Sequence, residues 1–323
     1  MMGSDSLLCC REDSESLDNI SGSQSDSEMP DCMMHIELGE LGDFDLTHEE
    51  TTHVLREIRR QERDFMPDCC QLRRLSSEIL QQRISLVSSI ECVCQRMQFH
   101  SSTFFAAVNI VDRFLSTYSV KHSDKWVLPL IGIASVSIAA KMGEVFVPSL
   151  GELRECMAPI LPFDLSHVQK MEIGILNILC WKMACITPYT VLPYLLRSVC
   201  PGSSGKGRVY SMAGSSSEMI KLVHSTSIRS IKNLMHAGLQ YTEFTPTEIA
   251  WACMLHTLEK LECEDWQAML SEGCGGPSRS AVRKCMKEVE KLSDQIDAFG
   301  EYQHKRERGR SLSPLSTLDS RFV

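Results

Sequence analysis

From Thr47 to Phe299 apolar residues return every third or fourth position. Val168, Met171, Ile175 and Leu179 fall on one face of a 3.6-residue helix, and Leu86, Ile90, Val93 and Met97 on one face of another. No stretch sustains the two-residue alternation of a strand. Start signals sit where the periodic segments begin. Thr47–Glu50, Ser149–Glu152, Ser166–Gln169 and Thr245–Glu248 have the S/T-x-x-E/Q spacing in which two side chains satisfy each other's orphan backbone donors. Thr187-Pro188 and Thr245-Pro246 place a capping residue before a proline at the first helical position. Glycine and proline gather between elements, from Cys200 to Gly207 and from Gly273 to Pro277.

The longest apolar run, from Trp126 to Ala140, is shorter than the ~20 residues a bilayer requires. It carries Pro129 and ends at Lys141, which predicts a buried core helix and no membrane partner. Its small-residue portion, Ile131–Lys141, has an echo in Thr247–Leu255, with Ile133 and Ile249 in matching places. Small side chains let neighbouring helices approach closely. Two such central helices predict two stacked bundles of similar plan.

Charge is unevenly spread. Residues 1–50 hold 14 Asp or Glu and one arginine, a balance of −13, while the other 273 hold 28 acidic and 32 basic residues, or +4. The acidity therefore belongs to one end, and the body is not basic enough to suggest a nucleic-acid partner. Residues 1–46, rich in Ser, Asp, Glu and Gly, are predicted to be a disordered acidic tail, and 300–323 a flexible polar one. The N-terminus has acid where a secretory signal needs positive charge, and the 15 cysteines include the adjacent pairs Cys9-Cys10 and Cys69-Cys70, so reduced thiols are expected.

Catalytic signatures are missing. The stretch Gly202–Arg208 lacks the spacing and hydroxyl of a phosphate-binding loop. His48 and His53 are five apart, about 140° around a helix, so they cannot form a zinc-protease pair. Cys92 and Cys94 point to different sides of a helix. There is no kinase catalytic loop. The expectation is a protein without enzymatic activity, metal or cofactor, acting by binding.

Four segments in order, Gln81–Val93, Ala107–Ser116, Ser137–Leu153 and Val168–Tyr189, resemble the cyclin box; Leu239–Met254 resembles the second cyclin fold. The wording AVNIVDRFLS, AAKM and LCWKMACITPY is most similar to D-type cyclins, particularly plant ones. The resemblance covers roughly residues 47–299. It implies an all-α architecture of two tandem five-helix bundles, 47–185 and 186–299, preceded by an N-terminal helix from Thr47 to about Arg63, with disordered termini.

The resemblance also implies roles. Arg83 and Asp112 are two charges on apolar helix faces, and the family likeness makes them a buried structural ion pair. Lys141 and Glu172 match the cyclin positions that hydrogen-bond the kinase backbone near its regulatory helix. Met142, Leu150, Leu153, Ile175, Leu179 and Trp181 are expected as their apolar neighbours in that contact, with Trp181 an aromatic anchor. Leu8, Cys10 and Glu12 fit LxCxE, the peptide that binds retinoblastoma-type pocket proteins: two apolar plugs and a directed carboxylate. The implied function is a regulatory subunit that activates a cyclin-dependent Ser/Thr kinase and brings it a pocket protein at the G1/S transition. The alternative is a pocket-protein-binding scaffold of the same fold that activates nothing. Kinase inhibitors are further expected partners.

Two segments depart from the family pattern. Gly143 stands where plant D-type cyclins have glutamate. Val87-Ser88-Ser89 replaces VDW, and Gln82 and Ser85 replace apolar residues of the patch that docks RxL motifs, so that docking role is not implied here. In the tails, Arg11–Asp31 has the composition of a rapid-turnover segment. Ser313-Pro314 is a candidate proline-directed phosphosite. Lys305-Arg306 with Arg308 and Arg310 is compatible with nuclear import, and a nuclear protein with a cytoplasmic pool is expected.

Overall fold

The computed structural model describes residues 47–118, 127–157, 164–199, 217–261 and 278–310. These form eleven helices, with no strand among the described residues: α1 (His48–Gln61), α2 (Cys69–Leu72), α3 (Ser77–Arg96), α4 (Ser101–Thr117), α5 (Val127–Gly143), α6 (Leu150–Met157), α7 (Leu165–Ile178), α8 (Pro188–Val199), α9 (Ser217–Ala237), α10 (Pro246–Lys260) and α11 (Arg279–Arg310). Short 3-10 turns follow α1 and α9, at Glu62–Phe65 and Gln240–Glu243.

Local chemistry starts most of these helices. Thr47 and Glu50 form a reciprocal capping box on α1, and Thr245 and Glu248 another on α10, whose first residue is Pro246. Ser149 and Glu152 exchange the same pair of bonds at α6, at 3.3 and 2.7 Å. The box expected at Ser166–Gln169 does not form. α7 begins one residue earlier, at Leu165, with Asp164 as N-cap. The Asp164 N–H donates to His167 Nδ1 at 3.1 Å, so an imidazole does the work assigned to Gln169.

α5 is apolar all round, and Ile131 to Ala140 are buried without a break. It is the axis of the first bundle, enclosed by α3, α4, α6 and α7. α10 holds the same place in the second, with Ile249 to Leu258 buried among α8, α9 and α11. The echo between Ile131–Lys141 and Thr247–Leu255 is thus a repeat of central helices. The first bundle has five helices. The second shows four among the described residues, and 262–277 lies outside them. α1 lies against α8, so the N-terminal helix belongs spatially to the second half.

A buried polar network joins the halves. Arg83 on α3 meets Asp112 on α4 in a two-pronged pair, Nε to Oδ1 at 2.9 Å and Nη2 to Oδ2 at 2.6 Å, with both side chains fully buried. Arg83 Nη1 also donates to the carbonyls of Met235 and Gly238, and Nη2 to the Tyr241 hydroxyl at 3.2 Å. Tyr241 in turn donates to Asp112 Oδ2. Burial alone would lower the Arg83 pKa; the Asp112 charge outweighs it and raises it. Burial, then the Asp112 charge, push the Tyr241 hydroxyl well above its ordinary value, so it stays a donor. Gly238 sits at φ +148, and a Cβ there would come 2.6 Å from Gln240 Oε1. Glycine lets the chain turn so that its carbonyl reaches Arg83.

A second tie crosses nearer the surface. Glu91 on α3 accepts from Lys232 Nζ at 3.1 Å and contacts His236 Nε2 at 2.8 Å, both on α9. Partial burial would raise the Glu91 pKa, but Lys232 and His236 outweigh it and lower it below 4.5. A depressed carboxylate contributes stability above its unfolded pKa and loses it as pH falls through the folded one. Glu91→Gln should therefore lower the melting temperature slightly at pH 7 and flatten its decline below pH 4.5, read by calorimetry across pH. An unchanged acid limb would count against the tie.

Candidate functional site

Lys141 lies in the last turn of α5 and Glu172 midway along α7. The packing of these two helices brings them together, with Nζ to Oε1 at 2.6 Å. The Lys141 side chain is half exposed and the Glu172 side chain nearly covered. Their mutual bond uses one of three ammonium protons and one of about four carboxylate lone-pair sites. The pair can therefore stay intact and still offer donors and acceptors to a partner's backbone.

The expected apolar neighbours divide into two groups. Met142 and Trp181 are exposed, and Leu150 is partly buried against the core. Leu153, Ile175 and Leu179 are buried within the first bundle, Leu179 keeping 7% of its surface open. The burial has a simple cause. Val168, Glu172, Ile175 and Leu179 form the inward stripe of α7 and its C-cap, and an amphipathic helix spends that stripe on its own core. These three residues support the surface from beneath.

The exposed surface is formed by residues that periodicity did not single out. Val145 is 81% and Phe146 87% exposed, and Val147 is also open to solvent. They form an apolar loop between α5 and α6. The loop leaves α5 in a fixed direction, because Glu144 accepts from the His100 N–H at 2.9 Å and from the Thr103 hydroxyl. On α7, Leu165 and Ile173 are exposed as well. The sequence signal was present: V-F-V followed by Pro148 is an apolar triplet where no helix can continue. At Gly143 a Cβ would meet only Thr103 Oγ1, at an ordinary 3.7 Å, so nothing local demands glycine there.

Trp181 is held outward by strain and two kinds of bond. α7 ends in a Schellman motif, with the Cys180 N–H to the Asn177 carbonyl at 3.1 Å and the Trp181 N–H to the Leu176 carbonyl at 2.8 Å. Cys180 and Trp181 both adopt left-handed backbone, φ 51 and 58, which costs non-glycine residues energy. The indole Nε1 donates to Asn177 Oδ1 at 3.2 Å, and the ring is 65% exposed. Ile173, Asn177 and Trp181, each four apart, continue one outward stripe. An indole fixed in this way loses little freedom on contact with a partner.

On α3, Val87 is buried, and the Ser85, Ser88 and Ser89 hydroxyls turn back to the carbonyls of Gln81, Ile84 and Ser85. That face carries small polar groups, in keeping with the missing RxL-docking residues. One cluster among the described residues has metal-type donors in proximity: Asp68, Cys69 and Cys70, within 4.8 Å of one another. Asp68 Oδ1 already caps α2 through the Cys70 and Gln71 N–H groups. Partial burial and the neighbouring Cys70 raise the Cys69 pKa, which disfavours the thiolate. Leu8, Cys10, Glu12 and Ser313 lie outside the described residues. No helix among the described residues is long and apolar enough to cross a membrane.

Residues 53–184 match the family model described as the cyclin N-terminal domain. Cyclin-D4-1 of Arabidopsis thaliana is 27% identical over 257 residues, covering 79% of this chain and 77% of the relative. Cyclin-D4-2 of the same plant is 30% identical over 208 residues, 64% of this chain and 65% of the relative. Cyclin-D4-2 of Oryza sativa subsp. japonica is 35% identical over 154 residues, 48% of this chain and 36% of the relative. The crystal structure of a viral cyclin from herpesvirus saimiri superposes with a TM-score of 0.58 at 19% identity, over 74% of this chain and 97% of the viral one, a likeness of fold.

Proposed function

We propose that this chain, a member of the D-type cyclin family, is a regulatory subunit that binds a cyclin-dependent Ser/Thr kinase and holds it in its active form. The observation that carries this reading is the exposed apolar surface around the Lys141–Glu172 pair: Met142, Val145, Phe146, Val147, Ile173 and Trp181. An apolar surface of this kind, with a fixed aromatic and polar groups at its edge, fits a protein partner.

The partner element is the kinase's regulatory helix. A kinase's catalytic Lys–Glu pair forms only when that helix is positioned against the active site. Burying the helix's apolar face on Phe146, Val147 and Trp181 makes the inward position the lower-energy one. Lys141 and Glu172 then bond its backbone ends and set the register. The chain contributes no reacting group; it shifts the kinase between two states by binding one of them better.

The acidic N-terminal segment supplies the second half of the proposal. Leu8, Cys10 and Glu12 recruit a retinoblastoma-type pocket protein, whose phosphorylation at the G1/S transition releases cell-cycle transcription. The basic cluster from Lys305 to Arg310 directs the protein to the nucleus, with a cytoplasmic pool. Cys10→Ala should weaken binding of a recombinant pocket domain at least tenfold, about 1.4 kcal/mol, by calorimetry on the full chain. Equal affinity of the two chains would remove the motif from the account. Kinase activity toward a pocket-protein fragment, measured on co-expressed complexes, separates an activating subunit from a silent scaffold.

A further inference from the structure

The turn between α2 and α3 reads Arg73-Arg74-Leu75-Ser76. Arg73, Arg74 and Ser76 are all exposed. Protein kinases take the acceptor segment in extended form, which closes hydroxyls inside helices to them. Ser76 is outside the helix, with extended backbone at φ −64 and ψ 151. Two guanidinium groups stand three and two residues before it, where a kinase with carboxylates in its peptide cleft would bind them in paired, charge-assisted contacts. Leu72 and Leu75 anchor the turn to the core, while Arg73, Arg74 and Ser76 face solvent. α2 is a single turn, and the N–H bonds of Arg73, Arg74 and Leu75 reach back only to Cys69, Gln71 and Leu72. Arg74 has a long 3.5 Å contact to Gln71. Arg73 pairs with Glu243 of the second half at 2.6 Å, and Glu243 also holds Lys284 at 3.1 Å.

We propose that Ser76 is a phosphorylation site for an ATP-dependent, arginine-directed Ser/Thr kinase, and that the phosphate draws Arg73 away from Glu243. The Ser76 Oγ attacks the γ-phosphorus of ATP. The new O–P bond forms as the β,γ-bridging bond breaks, ADP leaves, and the hydroxyl proton passes to a carboxylate of that kinase. The phosphate then carries about −2 charge at the N-cap of α3, where Ser76 Oγ now accepts from the Ile79 N–H at 3.3 Å. The helix end favours it. Glu78 in the first turn opposes it, so the arginines are what hold it in place. A guanidinium three residues back is within reach, and Glu243 is left with Lys284 alone. The modification thus exchanges a contact between the halves for one inside a turn.

The full chain would be treated with ATP and the catalytic subunit of the cyclic-AMP-dependent kinase as the probe, and phosphate located by fragment mass spectrometry. One phosphate on Ser76 is expected. Ser76→Asn keeps a capping side chain and should lose it; Arg74→Gln should slow it at least tenfold. Hydrogen exchange at Gln240–Glu243 should rise severalfold in the phosphorylated chain, and equally in unmodified Arg73→Gln. Phosphate on Ser77 instead, or none while a free peptide of the same sequence is consumed, would overturn the site. Unchanged exchange at Gln240–Glu243 after phosphorylation would overturn the exchange of partners.

Discussion

A chain carrying Lys141→Ala and Glu172→Ala together should lose cyclin-dependent kinase in a pull-down, with at least a hundredfold drop in affinity, while its far-UV circular dichroism stays the same. Lys141 is half exposed and its bond to Glu172 is single, so the pair adds on the order of 1 kcal/mol or less to folding. In a complex the same groups become covered. Loss of two charge-assisted contacts there, at about 1.5–3 kcal/mol each, accounts for the drop. Phe146→Ser offers an independent check. The ring is almost wholly exposed, so its loss should leave stability within about 0.5 kcal/mol and still weaken the complex about tenfold or more. If both variants co-purify with the kinase as well as the parent chain does, the surface lies elsewhere.

Asp112→Ala should be the most damaging single change to the fold. It leaves the Arg83 guanidinium fully buried, with the Met235 and Gly238 carbonyls and Tyr241 but no counter-charge. Removing one partner of a buried pair costs about 3–5 kcal/mol, a large part of the 5–15 kcal/mol that typically holds a domain together. The expected fall in melting temperature is about 10 °C. Replacing both residues at once, Arg83→Met with Asp112→Leu, removes the charge problem and should restore much of the loss. Tyr241→Phe should fall between parent and Asp112→Ala, because it deletes one donor to the carboxylate. A double variant as unstable as Asp112→Ala would mean that packing, and not the ion pair, sets the cost.

The helical plan was readable because it is written locally. Capping pairs such as Thr47–Glu50 and Thr245–Glu248 lie three residues apart, and the two small-residue helices announce themselves by composition. Arg83 and Asp112 were readable as two charges on apolar faces. Their third partner was not. Tyr241 lies 129 residues beyond Asp112, and no local rule links a hydroxyl in a 3-10 turn to a carboxylate on α4. The site divided along the same line. Lys141 and Glu172 stand out as charges beside apolar stripes. For Leu153, Ile175 and Leu179 an apolar stripe does not say which neighbour covers it; in this fold their own bundle does. Val145, Phe146 and Val147 escaped the periodic reading since a loop has no period. Trp181 owes its outward position to a left-handed turn at Cys180, a place where glycine would have been the visible signal.

The surface around Lys141 and Glu172 is the one proposed to receive the kinase. Hydrogen exchange of the full chain, alone and with a cyclin-dependent kinase, tests it most directly. Slowed exchange is expected from Met142 to Leu153 and from Leu165 to Trp181. Slowed exchange confined to α9 and α11, with the Val145–Val147 loop unaffected in a saturated complex, would contradict it.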